Sequence, residues 1–322
     1  METVNTVCGP ISADALGLTS MHEHFIVGIP GWEHVSSKVY DQAEAFERIK
    51  TSLAEFKNSG GRTVVDMSGI VLGRNVEMFK RLSEVTGVNI VVSTGFGEER
   101  YVPGHFYHDR SRDTAYLKRV LGDEVHKGTV AAQMKVTSIK AGIVKVGASA
   151  GGVTSTERII ALGAVGMSKE AGKGSPPVAL MARSTGSLSQ LADLCLSEGM
   201  RPQQVIVEVD QYSDPWYDTA LGYLGKGCYV TLNKIGIGMI DAGIETAQVQ
   251  WIGKMIDRGY EDRVMLGCDS IVYGIEQAKT AWTFAYLCNN FRRKLKEAGL
   301  KDTIIDKLLC HNPKNALLQA VA

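Results

Sequence analysis

Short apolar runs separated by stretches of helically spaced apolar residues recur along the whole chain. The first run, Leu16 to Met21, leads directly into His22-Glu23-His24-Phe25. Phe46, Ile49, Leu53 and Phe56 then recur at helical spacing until Gly60-Gly61 stops them. Thr63 to Asp66 reads as a second strand, Val76, Phe79 and Leu82 as a helix ended by Gly87, and Ile90 to Thr94 as a third strand. The segment 95–136 is less periodic and reads as a long loop with a helix around Asp113 to Leu121. Ala141 to Val146 is the fourth strand, and Thr154-Ser155-Thr156-Glu157 is a capping box opening a helix toward Ala171. Pro177 to Met181, Val205 to Val209, Cys228 to Leu232 and Val264 to Cys268 supply strands five to eight, with helices through Leu188, Leu191 and Leu194 and through Val249, Ile252 and Ile256. A long helical region, Ile275 through Leu300, and a short helix close the chain.

Eight short apolar strands alternating with helices predict an α/β fold of the (β/α)8 TIM-barrel type, as one domain over residues 1–322. An open doubly wound sheet would carry a Gly-rich phosphate loop after an early strand. Gly147, Gly151 and Gly152 lack that spacing.

Charge narrows the partners. The chain carries 35 basic and 35 acidic side chains with no run of one sign, which argues against nucleic acid or an anionic membrane and for a small-molecule substrate. No apolar run approaches about 18 residues, and Met1 to Ala15 holds acidic residues but no basic segment ahead of an apolar core. The expectation is a soluble, cytoplasmic protein without a signal peptide. The six cysteines are scattered, with no CxxC pair, and read as reduced, buried side chains.

In a barrel, functional residues sit at the C-terminal ends of strands. That rule selects His22, His24, Asp66, Lys145, Met181 to Arg183, Glu208 to Asp210, Asn233, Lys234 and Asp269. Residues two apart in a strand face one side, so His22 and His24 can converge on one point while Glu23 faces away. Two imidazoles at one focus begin a metal site. Asp269 ends the eighth strand, next to the first around a closed barrel, and can ligate the same ion or take a proton from water. Lys145 sits in an otherwise apolar strand, where it must be paired, deprotonated or modified. A neutral amine there can become a carbamate or form a Schiff base. The remaining histidines, His34, His105, His108, His126 and His311, read as loop or helix residues.

With these residues in view, the chain resembles the phosphotriesterase family of the amidohydrolase superfamily over nearly its full length. The matching segments are GPISADALGLTSMHEHF from Gly9, GGRTVVDMSGIVLGRNV from Gly60, KAGIVKVGASAGGVTSTE from Lys140, GYEDRVMLGCD from Gly259 and HNPKNAL from His311. The resemblance implies a barrel with two divalent metals, held by the first-strand histidine pair, a carboxylated lysine, one histidine each from strands five and six, and an aspartate from strand eight. His22, His24, Lys145 and Asp269 match four of those six positions. At the other two this chain has Met181 and Glu208. A thioether is a poor ligand for zinc, manganese or iron beside oxygen donors, so one retained metal per chain is expected. Glu208 is open to three roles: ligand, base, or partner of an uncarboxylated Lys145.

Arg183 shares the interior direction of Met181 nearer the mouth, and can replace the lost positive charge or fork onto an anionic substrate group. Lys234 stands where relatives shape the substrate pocket, and Trp32, Phe96 and Tyr101 are candidate walls. The leading reading is a metal-dependent hydrolase of an ester, lactone, amide or phosphoester. Its metal is held by His22, His24, Asp269 and carboxylated Lys145, and Asp269 is the base. Arg183 or Lys234 stabilises the oxyanion, and Arg183, Lys234, Glu208, Trp32 and Tyr101 contact substrate. The alternatives are a metal-independent lyase or isomerase using the Lys145 amine, and a barrel that has lost catalysis and serves binding. A homodimer is implied by the resemblance alone.

Overall fold

The apolar runs form parallel strands because both faces of each are covered, one by the barrel interior and one by helices, so the usual alternation of apolar and polar positions is lost. A computed structural model describes residues 2–32, 40–104, 106, 113–131, 135–275 and 278–318. His34, His105 and His108 lie outside these residues. An antiparallel hairpin, β1 (Thr3–Thr6) and β2 (Gly9–Ser12), precedes the barrel and has no counterpart in the sequence reading.

The barrel strands are β3 (Thr19–Gly28), β4 (Thr63–Asp66), β5 (Asn89–Phe96), β6 (Ile143–Ala148), β7 (Val178–Ala182), β8 (Val205–Val209), β9 (Tyr229–Leu232), β10 (Val264–Leu266) and β11 (Ser270–Ile275). They pair in parallel in the order β10-β9-β8-β7-β6-β5-β4-β3-β11. The two end strands, β10 and β11, are the lower and upper pieces of the eighth barrel strand. The lower piece pairs with β9 and the upper with β3. Between the pieces, the Asp269 N–H donates to the His22 carbonyl at 2.7 Å, which joins the last strand to the first. The helical region expected from Ile275 is therefore corrected at its start. Ile271, Val272, Tyr273 and Ile275 are β-branched or aromatic and extend the eighth strand, while helix resumes as a π turn over Leu287–Phe291 followed by Arg292–Glu297.

The outer helices are α1 (Gln42–Asn58), α2 (Val76–Thr86), α3 (Thr114–His126), α4 (Ser155–Ala171), α5 (Thr185–Ser197), α6 (Asp214–Gly225) and α7 (Ala242–Asp257). Side-chain caps at Asp41, Asn75, Asp113, Thr154, Ser184 and Asp241 start six of them. At α4 the expected capping box is complete, with Thr154 and Glu157 each satisfying the other's backbone N–H.

Inside the barrel, Met21, Val65, Val91, Ile143, Ala179, Ile206, Tyr229 and Met265 fill the floor beneath the site. Strict alternation from Met21 would turn His22 away from this interior. A bulge in β3 resolves the conflict: the pairing with β4 shifts between Ser20 and Glu23, inserting a residue and resetting the alternation so that both Met21 and the two histidines face inward.

Candidate active site

Three ligand-type side chains meet above this floor. His22 Nε2 and His24 Nε2 lie 3.3 Å apart, and Asp269 Oδ1 lies 3.7 Å from the first and 3.5 Å from the second. Among the described residues, His22, His24 and Asp269 are the only group of His, Cys, Asp and Glu that could hold a metal ion. Each imidazole is tethered through its other nitrogen. His22 Nδ1 donates to Glu208 Oε2 at 3.0 Å, and His24 Nδ1 lies 3.2 Å from Ser68 Oγ, whose own hydroxyl donates to the Ile26 carbonyl. A carboxylate only accepts, and a hydroxyl whose proton is committed elsewhere accepts too, so when both rings are neutral these contacts leave the two Nε2 lone pairs aimed at the shared point. Two lone pairs 3.3 Å apart repel unless a cation lies between them. Nitrogens bound tetrahedrally at about 2.0–2.1 Å stand about 3.3 Å from one another, so the donor set fits a divalent transition metal.

Asp269 is held by its neighbours. Its backbone has φ 46°, a left-handed conformation that an aspartate tolerates better than a bulky residue. Glu23, between the two histidines, straps this turn: Cys268 N–H donates to its Oε1 at 2.9 Å and Ser270 N–H to its Oε2 at 3.0 Å, with Ser20 and Ser270 hydroxyls completing the set. Glu23 does face away from the histidines, but into the wall rather than to solvent, and its task as the clamp on Asp269 is absent from the sequence reading. Gly267 is dictated by proximity, since a Cβ there would come within 2.7 Å of Asn233 Oδ1 and 2.8 Å of the His22 Cβ.

Lys145, 2% exposed, donates from Nζ to the Met67 carbonyl at 2.7 Å. Burial pulls its pKa down to about 8, against the opposing pull of Asp269, Asp66 and Glu208. Burial likewise opposes charge on His22, but Glu208, through its charge and its hydrogen bond, overcomes this with help from Asp269 and holds the imidazole above its ordinary value. His24 has a hydroxyl in place of a carboxylate at its Nδ1, and burial, Lys145 and His22 together push it well below. The Asp269 carboxyl is raised, chiefly by burial, with Asp210 adding repulsion against the attraction of His22, Lys234 and Lys145.

A cavity of 230 Å³ opens over the site, lined by His24, Lys145 and Asp269 at its base and by Val27, Leu72, Tyr101, Met181, Arg183 and Ile271 around them. Arg183 donates from Nε to Glu98 at 2.8 Å and lies 3.9 Å from Asp210. Lys234 Nζ is 3.8 Å from the same Asp210 oxygen, its backbone at φ 59°. Neither Lys234 nor Glu208 lines the cavity. Trp32 also lies outside the lining and packs edge-on against Tyr40, and Phe96 is buried against Phe106. His126 ends α3 and His311 lies at the surface near the C-terminal helix.

Comparison with known proteins bears on the family and the fold. The phosphotriesterase homology protein of Escherichia coli is 26% identical over 304 residues, covering 94% of this chain and 98% of its own length. N-acetyltaurine hydrolase of Rattus norvegicus is 24% identical over 350 residues, covering 98% of this chain and 97% of its own. A solved structure of a variant PTE-like lactonase from Deinococcus radiodurans superposes with a TM-score of 0.86 at 24% identity, covering 98% of this chain and 100% of the other, so the fold is a TIM barrel of that kind. The phosphotriesterase family model matches residues 2–317, and the chain belongs to the phosphotriesterase family.

Proposed function

We propose that this chain is a metal-dependent hydrolase that cleaves an ester, lactone, amide or phosphoester bond in a small molecule, holding one divalent metal through His22, His24 and Asp269, with Lys145 beside it. The observation that carries this reading is the pair of Nε2 atoms facing each other across 3.3 Å, each imidazole tethered at Nδ1, with a carboxylate oxygen in reach of both. A bound divalent cation supplies Lewis acidity and a water acidic enough to be ionised near neutral pH. With such an ion held, Asp269 would serve as the base for the attacking water, through its carboxylate. Arg183, at the cavity rim, supplies positive charge toward the oxyanion of the tetrahedral or pentacoordinate state, and Lys234 adds to it from behind Asp210. Val27, Leu72, Tyr101 and Ile271 favour a substrate with an apolar group at the cleaved bond. The family, the relative named N-acetyltaurine hydrolase and the fold shared with a lactonase support the reaction class.

One ion rather than two follows from the remaining family positions: Met181 presents a thioether to the cavity, and Glu208 is engaged with His22. The test is metal analysis of purified protein together with a screen of esters, lactones, amides and phosphotriesters, with and without added zinc, manganese or iron. About one ion per chain is expected, and His22→Ala removes both the ion and the activity, a loss of at least about 1,000-fold. Undiminished activity after complete chelation overturns the proposal.

A second reading rests on Lys145. An amine with its pKa near 8 is a substantial nucleophile at neutral pH, able either to take up carbon dioxide as a carbamate ligand or to form a Schiff base with a carbonyl substrate in lyase or isomerase chemistry. Borohydride trapping of a substrate adduct on Lys145 favours the Schiff base, and full activity of Lys145→Arg excludes it.

A further inference from the structure

Glu208 occupies a position where the family supplies a metal ligand, yet its contacts are of another kind. Oε2 accepts from His22 Nδ1 at 3.0 Å and from Asn233 Nδ2 at 2.5 Å, in a pocket where Glu208 is 2% and Asn233 1% exposed. It is not part of the His22, His24 and Asp269 group. Asn233 is itself fixed at the end of β9. Its N–H donates to the Val209 carbonyl at 2.8 Å, and its own carbonyl accepts from Gln248 at 3.1 Å and from the Tyr212 hydroxyl. The carboxylate is thus braced on one side by a rigid amide and faces an imidazole on the other.

We propose that Glu208, braced by Asn233, is a positioning residue that locks His22 in the Nδ1–H form, with Nε2 bare toward His24 and Asp269, and that it does not ligate the metal itself. A neutral imidazole has one proton for two nitrogens, and only the form protonated on Nδ1 leaves Nε2 free to donate its lone pair. In water the two forms interchange freely. A buried carboxylate at Nδ1 selects one of them and turns the ring, raising the basicity of the distal nitrogen. Asn233 Nδ2 also lies 3.3 Å from His22 Nδ1. Were that amide the donor to Nδ1, the ring proton would sit on Nε2 and block the ligand position. The nearer contact decides against that arrangement: Glu208 Oε2 lies 3.0 Å from Nδ1 and, as a carboxylate oxygen, can only accept, so that contact requires the proton on Nδ1. A glutamate in the place of a ligand histidine therefore strengthens the retained site instead of completing a second one.

This inference rests on the metal site proposed above, and the experiment separates the two. Nitrogen-15 NMR of the imidazoles in metal-free protein, at a pH where His22 is neutral, reads its protonation directly, and calorimetric titration with zinc reads affinity and stoichiometry. The wild type is expected to show His22 protonated on Nδ1. Glu208→Met removes the acceptor. It is expected to release His22 into a mixture of the two forms and to weaken zinc binding about 10–100-fold at unchanged stoichiometry. Glu208→Gln keeps an acceptor but not the charge, so it keeps the Nδ1–H form and loses affinity by less, about 3–10-fold. It also serves as the test if the Met variant does not fold. His22 protonated on Nε2 in the wild type, affinity within twofold of wild type in Glu208→Met, or loss of one ion from the stoichiometry overturns the proposal. A wild type that shows the Nδ1–H form but binds no zinc, manganese or iron overturns the metal reading and leaves the positioning role standing.

Discussion

Lys145 is buried in the barrel with, among the described residues, only a backbone carbonyl as a hydrogen-bond acceptor, and burial governs its chemistry. Its pKa falls from 10.5 unfolded to about 8 folded, so the folded state releases the proton first as pH rises. Below pH 8 both states are charged and the full penalty, roughly 3 kcal/mol at about 1.36 kcal/mol per unit, weighs on the fold. Between 8 and 10.5 the unfolded state holds more protons and stability rises with pH. Urea midpoints of metal-free protein are therefore expected to climb across that window, and Lys145→Met is expected to lack the climb. An identical pH profile in the two proteins would refute this account. The convergence of His22, His24 and Asp269 could be anticipated, and Lys145 singled out, because a charged or imidazole side chain at the end of an apolar strand is conspicuous. Glu23 and Asn233 were not assigned their tasks. Accepting a hydrogen bond from a turn, or bracing another carboxylate, leaves no pattern in one dimension.

Among the elements, α4 ties the mouth of the barrel together through its first turn. Glu157, fully buried, completes the capping box with Oε2 on the Thr154 N–H. Its Oε1 accepts from the Ser149 N–H and hydroxyl, at 2.9 and 2.6 Å, and from the Glu99 N–H at 2.8 Å. The loops after β5 and β6 are thereby fixed to one helix end, next to Glu98, the partner of Arg183. Glu157→Ala strands several buried donors and is expected to cost about 2–4 kcal/mol in chemical denaturation. It is also expected to raise KM more than it lowers kcat, because it loosens the rim and leaves the ligands in place. A change confined to kcat would contradict this role. The capping box itself was readable from Thr154 and Glu157, as were all eight strands, because parallel strands stand out as apolar runs between helical periods. The hairpin of β1 and β2 and the split eighth strand were not. Their residues alternate only over a few positions, and β11 is recruited as a strand by pairing with β3, a partner remote in sequence.

At the level of the whole molecule, the eighth strand is divided so that one piece belongs to β9 and the other to β3, and Asp269 lies in the gap between them. The group of His22, His24 and Asp269 spans the first and last strands of the barrel, so it exists only once the ring has closed. Closure pairs the first and last strands, the most non-local contact among the barrel strands, and is expected to come after most other contacts have formed. On the function proposed above, a divalent ion would act here as a latch fastened last. In kinetic terms, it is expected to stabilise a state beyond the folding barrier, leaving the refolding rate near its metal-free value and slowing unfolding in proportion to ion concentration above Kd. Stopped-flow measurements with and without zinc separate the two limbs, and a metal-dependent refolding limb with an unchanged unfolding limb would place the latch earlier. If the latch does fasten last, chelation leaves a barrel that still folds at its usual speed but opens at its seam, and resistance to proteolysis between β10 and β11 becomes a direct gauge of metal supply.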